Sequence, residues 1–316
     1  MRTYILRRLL LNIPVLLLVG TMVFSLIRIL PGDAVIHMIG EASIVAPDQL
    51  DDIRHQLGLD KPIHQAYAEW WGGVVKGDLG KSLFHKREIR EEIRAKLPVT
   101  AELAVLSIII SVFIAIPVGV ISAVRQDTFV DYASRFFVIA GLSLPGFWLG
   151  TMAVVFPSIW WHVSPPLRFY ELTVDPLMNL RQMLVPALIE GFALSAGTMR
   201  LTRSQMLEVL RQDYVRTAWS KGLNERVVVF RHALKNAIIP VITVMGTQLS
   251  RLLGGTLIME ILFNLPGMGR FIYESILLRD YPAIQGGILF TAFILITMNL
   301  IVDLTYAWLD PRIRLS

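Results

Sequence analysis

The chain has no cysteine among its 316 residues, which excludes disulfides and thiolate metal sites and leaves the redox compartment unmarked. It is also short of charge, with Asp, Glu, Lys and Arg at 17% against 54% hydrophobic residues. A soluble domain carries about 25% charged residues, so this composition, with a mean hydropathy of +0.57, fits an all-α polytopic membrane protein instead. No acid, base and nucleophile gather in a motif, so no catalytic residue is expected. His55, His64 and His85 have spacings that match no standard zinc pattern, and no metal site is expected either. Gly80-Lys81-Ser82 looks like the end of a phosphate loop, but that motif needs glycine five residues before Gly80, where Val75 stands. The formal charge of +5 does not point to nucleic acid, because the lysines and arginines flank apolar runs, where membrane topology accounts for them.

Long apolar runs dominate what is present. The first extends from Leu9 to about Ile29 behind Arg2, Arg7 and Arg8. It contains Pro14 and leads into Arg28-Ile-Leu-Pro-Gly-Asp33 rather than a small-residue cleavage site, so it reads as a retained transmembrane helix. Residues 31–97 then have the composition of a soluble segment. Leu50, Ile53 and Leu57 share a helical face before Gly58, the stretch from Pro62 to Trp71 predicts a second helix stopped by Gly72, and Ile89, Ile93 and Leu97 form a third face. Further membrane helices are predicted from Val99 to Val124, from about Ala133 to Phe156 with an interruption at Leu144-Pro-Gly146, and from Met183 to Thr202. Two more run from Pro240 to about Phe263 and from Ala283 to about Trp308. Gly146 and Gly150 form a small-residue pair suited to close helix packing, and Trp160, Trp161 and Tyr170 in the following loop suit an interfacial belt.

Between the fourth and fifth runs lies a polar island with eight lysines and arginines from Arg200 to Lys235. Asp213 can cap a helix of about two turns beginning at Tyr214, with Lys221 in its last turn and Gly222 taking the left-handed conformation that ends it. So short a helix is marginal in water and needs a packing partner, for which Tyr214, Val215, Ala218 and Trp219 offer apolar contact. Asn224 caps the helix that follows. The sequence Asp213-Tyr-Val-Arg-Thr-Ala-Trp-Ser-Lys-Gly222, followed by Arg231-His-Ala-Leu-Lys-Asn-Ala-Ile-Ile-Pro240, resembles the cytoplasmic "EAA" loop of permease subunits of binding-protein-dependent ABC importers. Arg216-Thr217-Ala218 is the variant usual in the oligopeptide, dipeptide, nickel and glutathione branch, while Trp219 and Ser220 stand where that branch usually has Arg-Ala. Gln56-Leu-Gly-Leu-Asp-Lys-Pro62 and Gly77-Asp-Leu-Gly-Lys-Ser82 resemble the first permease of the peptide-importer pair, and Glu260 to Gly269, Arg279-Asp-Tyr-Pro282 and Asp310-Pro-Arg-Ile-Arg314 resemble the peptide-importer branch.

The resemblance implies a type I ABC importer permease fold with six transmembrane helices. It implies three parts: residues 1–30 with the first helix, a small helical extracytoplasmic domain at 31–97, and a permease core at 98–316 with a coupling loop at 203–236. The implied function is ATP-driven import of peptides or a related small solute delivered by a solute-binding protein. The partners would be a second homologous permease, two ATPase subunits that hold ATP and magnesium, the binding protein and the bilayer, with no cofactor in this chain. Asp213, Tyr214, Val215, Arg216, Thr217, Ala218, Trp219, Lys221 and Gly222 would couple to the ATPase. The competing class, a secondary transporter without an ATPase, would show matched broken helices in an internal repeat, which is not seen.

Three charges fall inside apolar segments and are candidates for the translocation pathway: Glu190, Arg251 and Glu260. A charge there costs about 2.5 to 3.5 kcal/mol on insertion scales, so it should face a partner or a cavity. Glu260 follows Arg251 by nine residues, which on a straight helix puts the two on opposite faces and argues against their pairing. The lysines and arginines around the short loops concentrate on the side of both termini, which the positive-inside rule makes the cytoplasm of a bacterial or archaeal cell membrane.

Overall fold

A computed structural model describes residues 2–29, 54–55 and 59–309. The helix expected at Asp48 to Leu57, the residues from Pro31 to Asp33, and Asp310-Pro-Arg-Ile-Arg314 lie outside the described residues, save His55 and Arg54. The described chain is helical, with no strand beyond an isolated bridge between Lys81 and Glu88.

Helix α1 is Arg2–Ile29, α2 Ile63–Val75, α3 Ile89–Val124, α4 Phe129–Ser143, α5 Gly146–Trp161 and α6 Pro176–Leu210. They are followed by α7 Asp213–Ser220, α8 Glu225–Leu253, α9 Leu257–Leu262, α10 Met268–Leu277 and α11 Tyr281–Leu309. Helices α3, α6, α8 and α11 are long and apolar enough to cross a bilayer, and α4 and α5 reach that length and apolarity together, bent by 85° at their break. The sixth apolar element is Leu10–Ser25 within α1. Leu144 and Pro145 separate α4 from α5, since the residue before a proline disfavours the helical region.

Several boundaries differ from expectation. Helix α3 begins at Ile89, ten residues before Val99, so the amphipathic run of Ile89 and Ile93 is the first turns of a long apolar helix and not a separate element. Pro98 lies inside α3, so the boundary drawn between 97 and 98 falls mid-helix. Helix α2 continues through Gly72 to Val75, with Lys76 as its cap, because the left-handed residue is Gly77, φ +82°. Trp160 and Trp161 belong to the last turn of α5, which ends at a left-handed His162. The fifth apolar run is not one helix: it breaks at Gly254 and Gly255, the latter at φ +114°. The nine-residue argument about Arg251 and Glu260 assumed an unbroken helix and so does not apply.

The bundle is centred on α3 and α6, which meet through small residues. A Cβ on Gly191 would lie 2.8 Å from Ile110 Cβ and one on Gly119 2.8 Å from Thr202 Cβ. Such close backbone approach gains dispersion contact in a medium where apolar burial gives no drive between helices. Gly150 of α5 likewise meets Leu262 and Met259 of α9. Helix α2 packs against α1, where Trp71 lies over Gly20, Tyr67 stacks edge-on to Phe24 at 5.1 Å and Thr21 shares a hydrogen bond of 2.7 Å with the Tyr67 hydroxyl. Two of the quoted stretches meet here. Ser82 donates to the buried carboxylate of Asp280, Leu83 N donates to the same group at 3.3 Å, and Leu83 packs with Tyr281 and Ile284.

Candidate functional site

Helix α7 lies between the C-terminal end of α6 and the N-terminal end of α8. Its first residue is Asp213, not Tyr214, and the cap position is Gln212. Asp213 therefore contributes first-turn charge and makes no capping hydrogen bond. Gly222 has φ +73°, and the turn is closed by Lys221 N to Thr217 O at 3.1 Å and Gly222 N to Trp219 O at 2.9 Å. Asn224 caps α8 by accepting from Arg226 N at 3.1 Å. Past this cap, Val228–Leu234 is wound as a π-helix before α-geometry resumes at Lys235. Nothing in the sequence signals that segment.

The nine residues assigned to coupling divide into two faces. Val215 and Ala218 are buried, at 0% and 5% exposure, against Val228 with Val209, Leu210 and Leu223. They hold α7 to the ends of α6 and α8. Three residues apart, they are the stripe a short helix needs to stay folded. Tyr214 and Trp219 are half-exposed, at 44% and 46%, and Asp213, Arg216, Thr217, Lys221 and Gly222 are exposed. The Tyr214 hydroxyl is fixed by Asn236 Nδ2 at 2.8 Å. The outer surface of α7 is thus two aromatic rings among mixed charges, and the apolar contact expected of four residues is supplied outward by two.

The three membrane charges have different environments. Glu260 is completely buried. Its Oε1 accepts from Thr100 Oγ1 at 2.7 Å and its Oε2 from Arg270 N at 2.8 Å, while Thr100 Oγ1 itself accepts from Met268 N at 2.8 Å. The carboxylate therefore sits at the N-terminus of α10, where free amides and the helix dipole favour an anion. It fastens α3 to the α9–α10 turn. Asn264 continues the knot by donating to Pro166 O and Leu167 O, both at 3.1 Å, and accepting from Arg270. Glu190, on α6, has a buried Oε2 with no hydrogen-bond partner. Arg251 is exposed in the last turn of α8 and forms no ion pair with Glu190 or Glu260.

Sequence reasoning missed Asp131. It is fully buried in the first turn of α4 and gathers donors from three helices. Its only sequence signal is a lone aspartate after a short loop, with Arg135 one turn further on. No group of three or more His, Cys, Asp or Glu able to hold a metal occurs among the described residues.

The chain matches the family described as "Binding-protein-dependent transport system inner membrane component" over residues 115–315 and that family's N-terminal region over residues 1–104. It is 38% identical to a dipeptide transport system permease protein DppB of Alkalihalophilus pseudofirmus, covering 99% of this chain and 100% of the relative. It is 37% identical to DppB of Escherichia coli K12, at 99% of both chains. A putative peptide transport system permease of Brucella abortus is 38% identical, again at 99% of both. Two solved structures share the fold. An amino acid ABC transporter crystallised with histidines has TM-score 0.52 at 12% identity, over 70% of this chain and 94% of that one. An inward-facing MetNI methionine ABC transporter has TM-score 0.51 at 15% identity, over 69% and 96%.

Proposed function

This chain belongs to the family of binding-protein-dependent transport inner membrane components, as the permease subunit of an ABC importer, and from that premise we propose how it works and what it carries. The observation that carries the reading is α7, an eight-residue helix seated on the ends of α6 and α8 through Val215 and Ala218 with Tyr214, Arg216, Trp219 and Lys221 turned outward. This outer surface docks into a separate ATPase subunit. Two such ATPases, a second permease and an extracytoplasmic binding protein complete the importer, and ATP-driven closure of the ATPases swings α7 and reorients the two permeases around a shared pathway. ATP and magnesium belong to the ATPases. A secondary transporter independent of ATP is not favoured by these relationships.

The solute is a peptide or a small molecule with similar end groups, supported by the dipeptide and peptide permeases that match almost the whole chain. Arg251 and Glu190 are the pathway charges. A cation and a carboxylate in apolar segments, with no ion pair among the described residues, call for an aqueous cavity, and a peptide carries a carboxylate and an ammonium to meet them. Arg251→Gln is expected to raise the solute concentration for half-maximal uptake about tenfold, the worth of one charge-assisted hydrogen bond. Initial rates of labelled peptide uptake in proteoliposomes check this, and an unchanged concentration dependence removes Arg251 from the pathway.

Both termini and α7 are placed in the cytoplasm, and 31–97 outside. Because the chain has no native cysteine, single cysteines report topology cleanly. One at Gln65 is expected to react with a membrane-impermeant maleimide in intact cells, and one at Ser220 only after permeabilisation. The opposite pattern inverts the assignment.

A further inference from the structure

We infer that Asp131 is a positioning residue for coupling: it ties the cytoplasmic end of α4 to the platform that carries α7. The proposal rests on the reading of α7 as the coupling helix. The carboxylate is fully buried and its acceptor positions are filled. Arg203 of α6 donates through Nε at 2.8 Å and Nη2 at 2.9 Å, Arg135 of α4 through Nη2 at 2.6 Å, Ser122 of α3 at 2.6 Å, and the Asp127 amide at 3.1 Å. Such a two-pronged arginine contact fixes orientation as well as distance.

Its place in the fold gives this cluster its role. The ends of α3, α6 and α8 form one apolar block of Val120, Ala123, Met206, Val229 and Ala233, on which α7 sits through Val209 and Leu210. Helix α4 contributes no residue to that block. Further into the membrane it packs on α6, where Gly141 meets Ala196 and Phe137 meets Phe192. Towards the cytoplasm the two helices part around a cavity of about 980 Å³ lined by Gln126, Ile139, Arg200, Leu207 and Arg211. At that end the Asp131 cluster bridges the gap. Arg203 stands seven residues before Leu210, the end of α6 on which α7 packs, about 10 Å along the helix axis. A displacement of α7 therefore moves Arg203, and Asp131 passes that movement to α4 and, through Pro145, to α5.

The test uses the whole importer with its ATPases and loaded binding protein, in a chain carrying a cysteine at Arg216 to cross-link α7 to the ATPase. Asp131→Asn keeps the side-chain shape and removes the charge. It is expected to assemble and to form the same cross-link, while solute imported per ATP hydrolysed falls about tenfold, within the usual range of site-to-site coupling. Exchanging the partners, Asp131→Arg with Arg203→Asp, is expected to recover a substantial part of that ratio. A ratio equal to that of the parent in Asp131→Asn, or loss of the variant from the complex, overturns the proposal, the latter because it makes the cluster merely structural. Failure of the Arg216 cysteine to cross-link even with Asp131 intact counts against α7 as the coupling helix, and so separates the two failures.

Discussion

Gly222→Val is expected to abolish solute uptake while the chain still reaches the membrane at wild-type level. No atom would lie within 4 Å of a Cβ added at Gly222, so the obstacle is the backbone itself, at φ +73°. The left-handed conformation costs an L-residue roughly 1–2 kcal/mol, and a β-branched side chain is a genuine outlier there. The eight residues of α7 are few enough that their hydrogen bonds barely offset nucleation. The turn would relax by releasing Lys221 N and Gly222 N from Thr217 O and Trp219 O. Since α7 is held by Val215, Ala218 and the Tyr214–Asn236 hydrogen bond, its outward face would lose its aim while the block of α3, α6 and α8 stayed packed. Gly222→Asn is the control, because asparagine visits this region readily, and it should retain most uptake. Uptake and binding-protein-stimulated ATP hydrolysis in reconstituted importer decide the matter, and normal coupling in the valine variant would refute the role given to α7.

The second large effect concerns folding. Gly267→Ala is expected to prevent the chain from accumulating as a folded protein. A methyl group at this position would overlap the Glu260 carboxylate, and at Gly269 it would lie 3.2 Å from Glu260 Oε2 and 3.0 Å from the Leu257 backbone. Neither the turn nor the carboxylate can move without losing the donors Thr100 Oγ1 and Arg270 N. A buried charge deprived of its partners costs about 3–5 kcal/mol, a large share of the 5–15 kcal/mol by which a domain is stable. Glu260→Gln should be milder, because the amide oxygen can still accept from Thr100 while only the Arg270 amide meets a mismatched group. Thermal unfolding in detergent, read alongside the amount of chain in the membrane, should rank Gly267→Ala well below Glu260→Gln. Equal unfolding temperatures would show that the Glu260 knot does not hold α3 to the α9–α10 turn.

The sequence by itself determined the class and most of the layout. Hydropathy marks the membrane segments because lipid cannot satisfy exposed backbone groups, so each crossing must be a long apolar helix. The left-handed turn at Gly222 and the cap at Asn224 were likewise legible, because both depend on backbone chemistry within a few residues. Tertiary structure decided what local pattern could not. Val215, Ala218, Tyr214 and Trp219 all look like contact residues on a helical wheel, and only the position of α6 and α8 separates the two that anchor α7 from the two that face outward. Glu190, Glu260 and Arg251 are alike in sequence as charges in apolar runs. Folding brings Thr100 and the start of α10 to Glu260 from 160 and about ten residues away, and leaves Arg251 exposed in the last turn of α8. Asp131 has no sequence signature, because the arginine that defines it comes from 72 residues further along the chain. Hydropathy and capping depend on neighbours within one or two helical turns, whereas the state of a buried charge depends on which distant helices pack around it, and that is fixed only when the bundle closes.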